Sequence, residues 1–150
     1  MGRWTISAYR SRRDVSDVLD VLQEWMADLE GSERAHTKAA LLDMLSKMAT
    51  LQDWTVFNEE KQKHPPFRPE LKSPWNGKGL SRIAFNAHGK HQRMIGCFIS
   101  KREYVILACG TKDKRGERAN PTFYDEKCSD ALIRKSIIEK EGNNRHEWKI

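Results

Sequence analysis

Between Leu80 and Thr111 three runs rich in Ile, Val, Phe and Tyr follow one another, broken only at Gly89-Lys90 and Lys101-Arg102. Breaks that short leave no room for a crossover, so consecutive runs must pair as antiparallel neighbours. The segment 80–112 therefore predicts a three-stranded meander, and the rest of the chain has to pack around it. Upstream, Trp4 to Tyr9 alternates bulky with small or polar residues, which predicts a strand over 4–9. Val15, Val18, Leu19, Leu22, Trp25, Met26 and Leu29 recur at three- and four-residue steps, one apolar stripe on a helix over 14–30. Gly31 suits a left-handed stop and Ser32 an N-cap, so Leu41, Leu42, Leu45, Met48 and Ala49 define a second helix over 33–51, folded back on the first.

From Asp53 to Gly79 the periodicity dissolves among Pro65, Pro66, Pro69, Pro74, Gly77 and Gly79, so 53–79 reads as an irregular connection. Its aromatic residues, Trp54, Phe57, Phe67 and Trp75, would hold it down. Asn120-Pro121 supplies a cap and a first-turn proline for a helix over 121–141, which Gly142 ends. The tail 142–150 is polar, with Trp148 near its end, and its sequence leaves both docking and fraying open. The order β-α-α-β-β-β-α gives a single α+β domain over 1–150: an antiparallel sheet with the N-terminal helical hairpin and the C-terminal helix on one face.

Charge narrows the function. Residues 60–118 carry 14 basic against 5 acidic side chains, within a chain of net charge +6. A positive middle on a neutral-to-acidic frame is the footprint of a polyanion ligand. The start has no apolar leader and no run is long enough for a bilayer, so a cytoplasmic protein with no membrane partner is expected. Cys97, Cys109 and Cys128 are too widely spaced for a disulfide framework or a zinc ribbon, and no Cys/His pair has ligand spacing. No phosphate-binding loop, dinucleotide fingerprint or nucleophile elbow occurs, and neither cofactor nor metal is expected.

Counting from two-residue turns places Asn86 opposite Arg93, Arg82 opposite Cys97 and Arg93 opposite Gly110. Arg82, Arg93 and Lys112 then share one sheet face. Taken singly each is an ordinary strand cation, but together they suit a phosphate-centred reaction. RNA cleavage by its own 2′-hydroxyl passes through a five-coordinate phosphorus with extra negative charge, which fixed cations stabilise more than the ground state. His88 and His91 flank the first turn, and a histidine there could carry protons for such a reaction.

The stretches Lys78-Gly79-Leu80-Ser81-Arg82-Ile83-Ala84-Phe85, His91-Gln92-Arg93-Met94-Ile95 and Val105 to Lys112, closed by Asn120-Pro121-Thr122 with Ala131 and Arg134, resemble the RelE/ParE toxins. More narrowly they are similar to the HigB and phage Gp49-like branch. The likeness covers about Leu71 to Lys140; the N-terminal elements agree in order but not in motif. It implies the toxin of a type II toxin–antitoxin module, an endoribonuclease (mRNA interferase) that cleaves mRNA at the ribosome without a metal. The implied partners are a cognate antitoxin with a helix-turn-helix, mRNA and the ribosome. By the same resemblance Arg93, Arg82, Lys112 and Tyr124 would be catalytic. Lys78, Lys90, His88, His91, Lys114, Arg115 and Arg118 would bind nucleic acid. Two departures stand out: His88-Gly89-Lys90-His91 is longer than the shortest members' connection, and Leu80 or Ser81 stands where an aromatic is expected. Two other functions fit the same pattern: a non-enzymatic toxin of the gyrase-poisoning type, and a nucleic-acid-binding protein of a phage or mobile element.

Overall fold

The computed structural model describes residues 4–11, 18–51, 53–54, 65–100, 102–113 and 122–149. Nine elements follow in the order β1 (Thr5–Tyr9), α1 (Val21–Asp28), α2 (Gly31–Thr50), β2 (Phe67–Arg68), β3 (Ser81–Ala87), β4 (Lys90–Ser100), β5 (Glu103–Thr111), α3 (Phe123–Glu141) and β6 (Arg145–Glu147). The architecture is α+β, with one six-stranded sheet in the order β2-β3-β4-β5-β1-β6.

The meander forms because its short turns allow nothing else. The first turn is His88-Gly89, so Ala87 faces Lys90 and Arg93 faces Ala84, with Arg82 opposite Ile95. The expected register, with Asn86 opposite Arg93, is off by two residues. His88 and Gly89 both take positive φ (53° and 71°), the backbone that a tight hairpin turn requires, which moves the turn one position earlier. Two residues is one full pleat period, so no side chain changes face. Across the second turn Arg93 does face Gly110, but by an unexpected route. The ladder starts at Ser100↔Glu103, slips at Phe98/Ser100, and slips back at Ile95/Gly96. The two irregularities cancel. Leu107 is the residue left over at the second, and its carbonyl accepts from Arg134 Nη1 of α3 at 2.7 Å.

The sheet is mixed, which corrects the antiparallel expectation: β1 runs parallel to β5 and antiparallel to β6. The helices also cover both faces instead of one. Phe85 meets Trp25 of α1 with ring centroids 6.2 Å apart, and Cys109 Sγ contacts the carbonyl of Val21. Their strand neighbours point the other way. Arg93, paired with Ala84, bonds Tyr124 of α3, and Gly110 lies under Phe123 and Lys127. A sheet with both faces covered buries each alternate residue of β4 and β5, which is why Ile95, Met94, Ile106 and Val105 are all fully buried.

Helix boundaries shift for local reasons. α1 begins at Val21, not 14, because buried Asp20 caps it: Oδ1 accepts from Gln23 N at 2.8 Å while Gln23 Oε1 accepts from Asp20 N at 2.9 Å. Leu19 lies outside the helix and is exposed, and residues 12–17 fall outside the described residues. Gly31 does take the left-handed φ expected of it (54°), but as the first residue of α2, α1 having ended at Asp28, and Arg34 reaches back to the α1 carbonyls of Met26 and Ala27 at 3.0 and 3.1 Å. The Asn120-Pro121 cap and Phe57 lie outside the described residues; α3 starts at Phe123 and ends, as expected, at Gly142 in a left-handed conformation. The tail is ordered by docking. β6 pairs with β1, and both His146 Nδ1 and Trp148 Nε1 reach Asp20 Oδ2 at 2.7 and 2.9 Å. Among the described residues no helix is long and apolar enough to cross a membrane.

Candidate phosphate-binding cleft

The cleft is assembled from three parts of the chain. β2 and the segment after it supply Arg68, Leu71, Lys72, Ser73, Pro74 and Trp75. β3 and the end of β5 supply Arg82 and Lys112, and the first turn of α3 supplies Tyr124 and Asp125. Its volume is about 220 Å³.

The sheet sets the cations. Arg82 and Arg93 lie on the face that α3 covers, and Lys112, two residues beyond Gly110, continues that face past the end of β5. Gly110, directly opposite Arg93, lies under α3: a Cβ there would stand 3.5 Å from Phe123 and 3.3 Å from the flexible end of the Lys127 side chain, so the helix rests close on the strand at this point. Arg93 is only 1% exposed and donates through Nε to the Tyr124 hydroxyl at 3.3 Å and through Nη1 to the Gln92 carbonyl at 3.0 Å. Arg82 is 4% exposed, donates to the Pro65 carbonyl, and leaves its buried Nε without a partner. Lys112 Nζ sits 5.7 Å from the centre of the Tyr124 ring, a cation–π contact.

The electrostatics are lopsided. Arg68 stands directly opposite Arg82 across the β2–β3 ladder, a like-charge pair that costs stability unless something neutralises it. Burial is the main force on Arg82, and with repulsion from Arg93 and Arg68 it pulls the guanidinium down to about 10, against the favourable effect of Tyr124. Burial likewise leads the lowering of Lys112 below the ordinary lysine value, reinforced by Arg93 and Arg82 and opposed by Asp113. Among the described residues neither Arg82 nor Arg93 is ion-paired with a carboxylate. Buried guanidiniums so placed favour an anion brought in from outside.

The residues expected from sequence divide into groups. Arg82, Lys112 and Tyr124 line the cleft, and Arg93 stands behind Tyr124 instead of facing the opening. Lys90 and His88 lie elsewhere, against α2: Lys90 pairs with Glu33, and His88 Nδ1 meets His36 Nδ1 at 3.0 Å. Their side of the β3–β4 hairpin is the one that meets α1 and α2. His91 pairs with Asp113 at 2.8 Å, and Lys78 is exposed in the segment after Trp75. Lys114, Arg115 and Arg118 lie outside the described residues, as does His64. Sequence reasoning missed Arg68, Lys72 and Asp125. Arg68 and Lys72 belong to a segment whose only strand is two residues long, too short to show a period, and Asp125 reads as an ordinary helix-start acid. Among the described residues no group of three or more His, Cys, Asp or Glu could hold a metal ion. The three cysteines are buried and free, with burial pushing Cys97 and Cys128 up to about 11 and Cys109 to about 12, which makes them packing residues and not nucleophiles. Compared with protein-family models, curated proteins and solved structures, the chain matches none.

Proposed function

We propose that this protein is a RelE/ParE-like endoribonuclease that inhibits translation by cutting mRNA, using fixed cations in place of a metal. The observation that carries the reading is the group of Arg82, Lys112 and the Tyr124 hydroxyl at the wall of one open cleft, with Arg93 holding Tyr124 from behind and no carboxylate paired to either arginine among the described residues.

The reaction is the attack of a ribose 2′-oxygen on its own 3′-phosphorus. The O2′–P bond forms and the P–O5′ bond breaks, giving a 2′,3′-cyclic phosphate and a free 5′-hydroxyl. The 2′-hydroxyl loses a proton and the departing O5′ gains one. Arg82, planar and always charged near neutrality, meets two phosphate oxygens as charge grows in the transition state. Lys112, with its proton affinity reduced, protonates O5′. Tyr124, its hydroxyl accepting from Arg93 and lining the open cleft, takes the 2′-hydroxyl proton and passes its own to solvent. Arg93 acts through Tyr124 and is a positioning residue. The implied partners are mRNA, the ribosome and an antitoxin that covers the cationic cleft or blocks docking, in the cytoplasm.

The test is cleavage of a defined mRNA on translating ribosomes in excess EDTA, with 5′ ends mapped. Cuts ending in 5′-hydroxyls are expected. Arg82→Ala lowers the rate by about 10²–10³, the usual loss when one preorganised donor is removed. A loss under about tenfold, with the fold retained, overturns the assignment of Arg82. Intact mRNA with halted DNA supercoiling would instead indicate a gyrase poison, and salt-sensitive binding with intact RNA a nucleic-acid-binding protein.

A further inference from the structure

The cleft that would take the phosphate is not lined by cations alone. Leu71, Pro74 and the half-buried Trp75 give it an apolar wall, and Asp125 places a carboxylate beside that wall. The carboxylate is the anomaly. A site that only grips phosphate loses affinity by holding a like charge in it, yet Asp125 pairs with none of the surrounding cations among the described residues. It accepts instead from Trp75 Nε1 at 3.2 Å. That bond fixes the indole by its edge and leaves a ring face for the cleft. It also uses only part of the acceptor capacity of Asp125, since an ionised carboxylate offers about four lone-pair sites.

The size fits one aromatic ligand. A dry cavity of roughly 150 Å³ accepts a benzene ring, and this cleft, open to solvent, measures about 220 Å³. An aromatic platform beside guanidinium and ammonium groups is the arrangement that holds a single unstacked base with its phosphate. The carboxylate then selects the base. On their Watson–Crick edges adenine and cytosine put a ring acceptor beside the amino donor, and uracil flanks its one N–H with two carbonyls. Guanine alone offers two adjacent donors, N1–H and N2–H.

Resting on the ribonuclease reading above, we propose that the cleft seats one guanine base, stacked on Trp75 and read by Asp125, with its phosphate on Arg82 and Lys112. The experiment measures binding, not cutting: the purified protein is titrated with GMP, AMP, CMP, UMP and inorganic phosphate. GMP binds about tenfold tighter than the other nucleotides, within the range of one bidentate base contact. Asp125→Asn keeps an acceptor for Trp75 but turns one carboxylate oxygen into a donor and removes a like charge from beside the phosphate, so it erases the preference for GMP while AMP binds at least as tightly as before. Trp75→Leu weakens all four nucleotides by about tenfold and leaves inorganic phosphate unaffected; if that variant melts early, Asp125→Asn, an exposed position, decides alone. Equal binding of the four nucleotides, phosphate binding as tightly as GMP, or an unchanged preference in Asp125→Asn each overturns the proposal. A protein that prefers GMP but cuts no RNA loses the nuclease reading and keeps the base seat. One that cuts RNA without base preference does the reverse.

Discussion

Lys112 is a residue whose chemistry depends on its neighbours. Burial, Arg93 and Arg82 lower its proton affinity while Asp113 raises it. As the donor to O5′ in the proposed reaction it must be protonated, so that reading predicts that cleavage falls on the alkaline side as pH rises through its depressed pKa. Removing the carboxylate in Asp113→Asn withdraws the one charge that supports the ammonium, so that limb moves to lower pH, which a pH–rate profile reads directly. A limb that moves upward would remove Lys112 from this role. The same shift has a stability cost. Because the folded pKa is depressed, folding disfavours the charged lysine at neutral pH, and stability recovers as pH climbs from the folded value toward 10.5.

Among the elements, β4 shows how a single position holds a register. Gly96 sits at the slip that returns Arg93 to Gly110, and a Cβ there would lie 2.4 Å from the Val105 carbonyl and 2.6 Å from the Tyr104 ring. The backbone cannot give way cheaply, so Gly96→Ala destabilises by about 1–3 kcal/mol, measured by urea unfolding. A neutral result would mean that β4 and β5 are not packed this closely. The α1 start depends equally on Asp20, fully buried, which caps Gln23 N and receives His146 and Trp148. Asp20→Ala loses the cap and strands two donors, a cost of about 2–4 kcal/mol. In that variant the amides of β6 should exchange with solvent well before those of β4. If β6 stays protected, its pairing with β1 holds the tail without Asp20.

Over the whole molecule, the basic side chains of 60–118 that fall among the described residues do not form one continuous patch. Arg82 and Arg93 are interior, Lys90 is committed to Glu33, and Arg68, Lys72, Arg82 and Lys112 gather at the cleft. Burial on both sides of the sheet also governs the alkaline limit. Cys97 and Cys128 rise to about 11 and Cys109 to about 12 from 9.0, and Tyr104 is pushed up as well. Their folded pKa values are raised, so their contribution is complete below the unfolded value and is lost as pH rises past it. The urea midpoint should fall between about pH 9 and 11, Lys112 offsetting only part of it. The thiols should resist alkylation at pH 8 until the chain unfolds; reaction of any of them in the native protein would show that burial is incomplete.

Local pattern was enough for β1, the three meander strands and the three helices, and for the face on which Arg82, Arg93 and Lys112 sit, though not for β2, β6 or the start of α1. Turn chemistry and the two-residue pleat period are short-range, and an error of two in the hairpin left that face unchanged. What neighbours in sequence could not decide was everything set by distant surfaces. The parallel pairing of β1 with β5, the placing of α3 opposite α1 and α2, and the capture of β6 by Asp20 each join segments far apart in the chain. The cleft has the same origin. Arg68 and Trp75 meet Tyr124 and Asp125 at the cleft where α3 packs over the sheet, and no periodicity in either segment encodes that meeting.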